Sequence, residues 1–374
     1  MKRHIYADNA ATTQLDINAF EAMKPYLLEE YGNASQPYAF ARKSRKALSA
    51  ARETIAECIN ALPEEIYFTS GGTESNNWAI KGSAFADPDR RATIASAFEH
   101  YALLRSCEAI ERFGYPVAYL VPTADGIITT CALSDTTLNS TRLVSIMYAN
   151  NEIGTIQPIE ELCKIAHAHG ALFHTDAVQA VGHIKVDVRE LNVDMLSASA
   201  HKFNGPKGIG FLYIRKGTKI LPYIDGGAQE NRYRAGTENV AAIVGMATAL
   251  KENYIKLKSN IVHIKTLEAR LLEELRETHI PFVRNGGINT LPGLISLSFS
   301  GEGGESILHR MDLMGISIST GSACDSTRVE VSHVLKAINL NESLAKGTIR
   351  ISLGKNNTEE DVHAIINSFK KIFR

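Results

Sequence analysis

The sequence predicts an α/β protein, with a large domain built on a mainly parallel sheet covered by helices and a smaller α+β domain attached to it. Three observations lead there. The chain has 374 residues, more than the roughly 100 to 200 of one ordinary domain. Strand-like and helix-like segments alternate between residues 66 and 214. Apolar runs such as Leu143-Val144-Ser145-Ile146-Met147 lack the period-two pattern of a half-exposed strand and suit strands covered on both faces.

Ile5 to Ala7 reads as a short strand, and Ala47, Ala51, Ile55 and Ile59 recur at helical spacing. Strands are predicted at Ile66 to Thr69, Thr93 to Ala97, Val117 to Val121, Arg142 to Tyr148, Ala171 to His174, Asp194 to Ala198 and Phe211 to Ile214, with helices at Tyr101 to Phe113 and Ile159 to His169. From Glu238 toward Glu274 the pattern stays helical for longer than one unbroken globular helix, which predicts a connector out of the first domain. Beyond it, strands and helices mix again, and Thr358-Glu359-Glu360-Asp361 reads as a capping box for a last helix. No repeat or low-complexity segment is visible.

Hydrophobic residues make up 44% and charged residues 22% of the chain, near the usual values for a soluble globular protein. A net charge of -1 gives no electrostatic reason to bind nucleic acid or anionic lipid, so the expected partners are small molecules or proteins. Asp8 and Asn9 fall where a signal peptide needs its apolar core, and no apolar run approaches a membrane span; a cytoplasmic protein is expected. Cys58, Cys107, Cys131, Cys163 and Cys324 form an odd set without a Cys-x-x-Cys pair, which argues against a disulfide framework or an intrinsic zinc site.

Candidate chemistry collects at predicted strand ends. Ser70-Gly71-Gly72-Thr73-Glu74-Ser75 stands between a strand and a helix, where backbone N–H groups and the helix dipole suit a phosphate; alone, it reads equally as a glycine-rich turn. Asp176, in His174-Thr175-Asp176-Ala177-Val178-Gln179, ends a second strand at the edge where open α/β sheets bind ligands, and an acid there can keep a heterocyclic nitrogen protonated. A solvated strand-end acid is the plainer alternative. Lys202, in Ser197-Ala198-Ser199-Ala200-His201-Lys202, ends a third, where an amine of lowered pKa could form a Schiff base. Most lysines are simply surface residues. A phosphate cradle, an acid and an amine on one sheet are together what pyridoxal phosphate requires.

These segments, with Asp8-Asn9-Ala10-Ala11-Thr12-Thr13, Asn150-Asn151-Glu152-Ile153-Gly154 and Arg234-Ala235-Gly236-Thr237-Glu238-Asn239, resemble in the same order those of the class V aminotransferase group of fold type I enzymes, most closely the cysteine desulfurases. The resemblance implies a large cofactor-binding domain over residues 15–257 and a small domain made of 1–14 and 258–374. It implies that Lys202 carries pyridoxal phosphate, that Asp176 pairs with its ring nitrogen and that His100 stacks on the ring and shuttles protons. Gly72, Thr73, Ser199 and His201 are implied at the phosphate, Gln179 at the phenolic oxygen, and Thr237 at the phosphate of a neighbouring subunit, hence a homodimer. Asn151 and Arg350 are implied at the substrate carboxylate, a task that suits a bidentate guanidinium; Asn33 is also implied at the substrate and Asn151 also at the cofactor.

The resemblance implies that Cys324 chooses the reaction. The other cysteines lie among apolar neighbours and read as inert buried thiols, whereas Cys324 stands in Ser319-Thr320-Gly321-Ser322-Ala323-Cys324-Asp325-Ser326, a small-residue run that suits a thiol visiting a cofactor and then a partner. An incidental loop thiol reads as well on these residues alone. Gly-Ser-Ala-Cys followed by Ser332-His333-Val334-Leu335 resembles the active segment of the NifS and IscS type of desulfurase. That implies L-cysteine as substrate, a persulfide on Cys324, and a sulfur acceptor such as an iron-sulfur scaffold or a tRNA-thiolating enzyme. The family's Gly-Asn-Pro-Ser-Ser-x-His is here Gly32-Asn33-Ala34-Ser35-Gln36-Pro37-Tyr38, so entrance contacts differ.

Other readings stay open at this stage. A selenocysteine lyase or an aminotransferase shares the fold, and a catalytically silent binding subunit represents another class, although Lys202, Asp176, His100 and Cys324 together argue against silence. A metal hydrolase built on His167, His169, His174 and Asp176 is disfavoured because the first two, on one predicted helix, face apart.

Overall fold

The computed structural model describes residues 4–320 and 331–373. The chain opens with β1 (Ile5–Tyr6), α1 (Ile17–Leu28), α2 (Arg42–Ile59), β2 (Ile66–Thr69), α3 (Gly72–Phe85), β3 (Ala92–Ser96), α4 (Tyr101–Glu111) and β4 (Val117–Leu120). Next come α5 (Thr130–Thr136), β5 (Thr141–Ser145), α6 (Ile159–Ala168), β6 (Leu172–Asp176), α7 (Val188–Leu191), β7 (Met195–Ser199), β8 (Gly210–Ile214), α8 (Val240–Ile255) and α9 (Leu257–Glu277). The remainder is β9 (Phe282–Asn285), β10 (Leu294–Phe299), α10 (Gly304–Leu313), β11 (Ile316–Ser317), α11 (His333–Ala337), α12 (Glu342–Lys346), β12 (Thr348–Ser352) and α13 (Glu359–Ile372).

Among the described residues the main sheet has seven strands in the order β2-β8-β7-β6-β5-β3-β4. Strands β3 to β7 run parallel, and β8 lies antiparallel to both β7 and β2. It follows that β2 points the same way as β7, so the ends of β2, β3, β5, β6 and β7 share one edge. Every residue of β5, β7 and β8 is buried, and their sequences are apolar or small apart from Arg142, whose guanidinium donates to the carbonyls of Ser83 and Lys219. On α2, Leu48, Ala51, Ile55 and Ile59 form the buried stripe. Full burial of an isoleucine side chain such as Ile55 or Ile59 is worth about 1.5–3 kcal/mol.

A second, antiparallel sheet of order β12-β10-β9 carries its own apolar cluster, in which Ile295, Leu297, Ile349 and Ile351 meet Leu271 of α9 and Phe369 of α13. Ile5 and Ala7 also join that cluster, since β1 pairs in parallel with β11. The long helical stretch beyond Glu238 is two helices, broken at Lys256 (φ -99°, ψ 7°). The break has a packing reason: Ile243 and Met246 of α8 face the large core, whereas Leu267 and Leu271 of α9 face the second. Thr358 and Asp361 do form the capping box of α13. Among the described residues no helix is long and apolar enough to cross a membrane.

Candidate active site

The shared strand edge borders a cavity of about 560 Å³. Gly72 and Thr73 enter it from the start of α3, His100 from the cap of α4, Asn151 from the turn after β5, Asp176 and Gln179 from the end of β6, and Ser199, His201 and Lys202 from the end of β7. Arg350 reaches it from β12 of the second sheet. The N-terminal segment closes one side: Lys202 Nζ donates to the carbonyls of Ala10 and Ala11 at 2.6 and 2.8 Å, Gln179 Nε2 donates to Ala10 O at 2.9 Å, and His201 Nδ1 lies 3.1 Å from Thr12 Oγ1.

The start of α3 is an open anion cradle. The first-turn N–H groups of any helix lack an intrahelical acceptor, and here Gly71 supplies no side-chain cap for them either. A Cβ at Gly72 would stand 2.6 Å from Val178 Cγ2, so only glycine lets this turn approach the end of β6. Asp176 is 5% exposed; its Oδ2 accepts from Asn76 Nδ2 at 2.6 Å and its Oδ1 from Val178 N–H at 2.9 Å. His100 Nδ1 accepts from Ala102 N–H at 3.1 Å, which leaves the neutral ring's proton on Nε2. Burial lowers its pKa, Asp176 opposes this, and the Lys202 charge adds to the lowering. Burial, aided by Lys202 and Lys207, takes His201 down to about 4, so its imidazole is also neutral.

Several contacts in and beside the site were not read from the sequence. Asn76, which holds Asp176, lies one helical turn beyond Gly72, a spacing that could have marked it. Glu99 is fully buried, with one oxygen held by Ser96 Oγ and Met147 N–H and the other unpartnered among the described residues. His333 Nε2 donates to Glu99 O at 2.9 Å, its ring packs 4.6 Å from Tyr101, and both rings line the cavity. No local pattern announces these contacts.

Burial pushes Glu99 up to about 8, against its hydrogen bonds to Ser96 and Met147, with the Asp176 charge adding to the rise. Between its ordinary value of 4.5 and that raised value, the folded state holds the proton more tightly than the unfolded one. Stability from this group is therefore complete at low pH and lost as pH climbs through the folded pKa. Glu99→Gln removes the titration, so its thermal midpoint relative to wild type is expected to rise steadily from about pH 5 to about pH 8. A pH-independent difference in paired melts would contradict this.

Not every implied residue meets the cavity. Asn33 does not line it; its Oδ1 is committed to the Ser35 N–H at 3.0 Å in a local turn. Thr237 is exposed and likewise absent from the lining. Cys324 lies outside the described residues. Of the four cysteines expected to be buried, Cys107 and Cys163 are and Cys58 is partly so, but Cys131 is exposed, because it sits on the solvent side of α5 beside Asp135. Burial raises the pKa of Cys58 and Cys163 to about 12, and a hydrogen bond from its thiol to Asp135 raises that of Cys131. His174 is fully buried between the hydroxyls of Ser145 and Ser197, and His167 bonds Asp194 at 2.8 Å. These histidines serve the sheet.

A largely parallel sheet with an open helix cradle, a buried acid and a lysine on one edge defines an enzyme of the aminotransferase class-V family, to which this chain belongs: the family pattern matches residues 5–365. Curated relatives named cysteine desulfurase IscS include one from Dictyoglomus turgidum, 50% identical over all of this chain and 95% of the relative, and one from Methanosarcina thermophila, 44% identical over 98% and 91%. Among solved structures, one described as a NifS-like protein matches with a TM-score of 0.94 at 36% identity, covering 99% of each chain. Another, described as SspA in complex with cysteine, matches with a TM-score of 0.84 at 36% identity over 95% of this chain and 100% of the other.

Pyridoxal phosphate is the cofactor of this family, and the site's donors fit it. The uncapped start of α3 suits its phosphate, and the buried Asp176 carboxylate suits a protonated ring nitrogen. Lys202 borders the same cavity.

Proposed function

We infer that this chain is a pyridoxal-phosphate-dependent cysteine desulfurase, which takes sulfur from L-cysteine and leaves L-alanine. The observation that carries this is full-length likeness to cysteine desulfurases in a chain whose Lys202, Asp176, His100 and Arg350 border one cavity.

The cofactor supplies an electron sink for charge developing at the substrate Cα. Lys202 would hold it covalently and, as the free amine once substrate is bound, would move a proton at that carbon, while His100, whose Nδ1 accepts from Ala102, would relay a proton through Nε2. Asp176, oriented by Asn76 and Val178, keeps the ring nitrogen protonated. Gly72, Thr73, Ser199 and His201 take the phosphate, and Gln179 the phenolic oxygen. Arg350 and Asn151 take the substrate carboxylate. The Cys324 thiolate attacks the substrate sulfur; a sulfur–sulfur bond forms as the substrate carbon–sulfur bond breaks, and the electron pair left on carbon is protonated to give alanine.

The resulting persulfide serves a sulfur acceptor, an iron-sulfur scaffold or a tRNA-thiolating enzyme, in the cytoplasm. A homodimer is part of this reading: the exposed Thr237 reaches the phosphate bound by a second copy, and Ile17, Leu28 and Tyr31, which are 66%, 76% and 71% exposed, offer apolar surface for it. Incubation of the holoenzyme with L-cysteine without reductant tests the function. Alanine is expected in solution, with one added sulfur atom on the peptide that contains Cys324. Alanine without a sulfur adduct would point to a different fate for the sulfur, and no alanine to a different substrate.

A further inference from the structure

The acid nearest Arg350 has no part in the roles above. Asp8 Oδ1 accepts from Arg350 Nη2 at 2.8 Å, with the two side chains 17% and 4% exposed. Arg350 Nη1 donates to Asn151 O at 2.8 Å. The guanidinium plane is thus held at two corners, and its buried Nε has no acceptor among the described residues. Arg350 lines the cavity, whereas Asp8 does not. These two bonds use two of the five guanidinium N–H donors and leave three without an acceptor among the described residues.

Asp8 stands on a stiff base. Ser352 N–H donates to Ala7 O at 2.7 Å, Asn9 N–H donates to Ser352 O at 3.1 Å, and Asp8 itself bridges Ser352. The Arg350 backbone is tied to Ser319 in both directions and to Ser296 of β10. Glu152, the other acid near this arginine, is engaged elsewhere: Ser332 Oγ donates to it at 2.5 Å, and burial raises its pKa to about 7 against the pull of Ser332 and Arg350. The acid in direct contact with the guanidinium is Asp8.

We propose that Asp8 is a positioning residue that fixes the Arg350 guanidinium so that its remaining N–H donors receive the carboxylate of the amino acid substrate. Arginine has five N–H donors in one plane, and a carboxylate is recognised well only when that plane is held at the right angle. Asp8 supplies the angle without touching the ligand. The proposal rests on the reading of Arg350 as the carboxylate-binding group.

The test is a binding cycle on the holoenzyme with two probes, L-alanine and L-alaninamide, which differ in the carboxylate, followed by the change in visible absorption of the bound cofactor. Wild type is expected to prefer alanine by about tenfold or more, the worth of a charge-assisted hydrogen bond. Asp8→Ala is expected to reduce the preference to about threefold or less, while Asp8→Asn, which keeps an acceptor oxygen at the same reach, keeps most of it. An unchanged preference in Asp8→Ala overturns the proposal and leaves the reading of Arg350 intact; no preference in wild type overturns both. Asp8→Ala leaves a buried charge unpaired and is the variant at risk of misfolding. In that event Asp8→Glu decides: it keeps the charge but moves the carboxylate by one methylene, so a lost preference supports positioning and a retained one overturns it.

Discussion

Lys202→Ala is expected to abolish turnover of L-cysteine and to remove the visible absorption of the lysine-bound cofactor while leaving the fold intact. Two functions vanish with one amine. The covalent attachment is lost, and so is the group that moves a proton at the substrate Cα, a contribution of about 10²–10⁴ in rate by itself. The cradle at the start of α3 and the Asp176 carboxylate remain, so the cofactor is still expected to bind, as the free aldehyde. Loss of the amine leaves the Ala10 and Ala11 carbonyls without their Lys202 donor, a cost of about 1 kcal/mol each that water in the cavity offsets. Absorption spectra, cofactor content and a thermal melt of the purified variant separate these effects. An unaltered visible band would show that another amine carries the cofactor.

Cys324→Ala is expected to do the opposite to the spectrum and nearly the same to turnover. The band of the bound cofactor stays, because no residue assigned to holding it is touched, and cysteine still perturbs that band on mixing. Alanine and persulfide formation should fall by about 10³-fold or more, the scale on which removal of an essential nucleophile acts. Undiminished alanine release would identify a different sulfur-accepting group. The remaining free cysteines make poor substitutes: burial holds Cys58, Cys107 and Cys163 in the thiol form, and a hydrogen bond from the thiol to Asp135 does the same for Cys131. Comparison of the two variants divides the mechanism, since one loses the cofactor chemistry and the other only the transfer.

Much of the fold was legible because its signals are local. The strands at Ile66–Thr69 and Val117–Leu120 and the helices beginning at Tyr101 and Ile159 occur where periodicity placed them, with ends moved by a residue or two, as frayed ends usually are. The break at Lys256 was legible only as excess length, since its position depends on which of two cores each half-helix faces. In the site, the residues at strand ends were readable because a βα turn sets a side chain at the sheet edge. Asn33 was carried over from a motif whose neighbours differ here, and its side chain is used on Ser35 instead.

By itself the sequence determined the order of the elements and placed Lys202 and Asp176 on the sheet edge that borders the cavity. These depend on spacing along the chain and on short motifs, which survive without knowledge of the partners. Only the tertiary structure decided which side chains support them: Asp8 meets Arg350 across 342 residues, Ser332 meets Glu152 across 180, and Asn76 meets Asp176 across 100. The physical reason is that burial and the angle of approach of distant segments set a hydrogen bond's existence and a carboxyl's charge, and neither is written in the residues beside it.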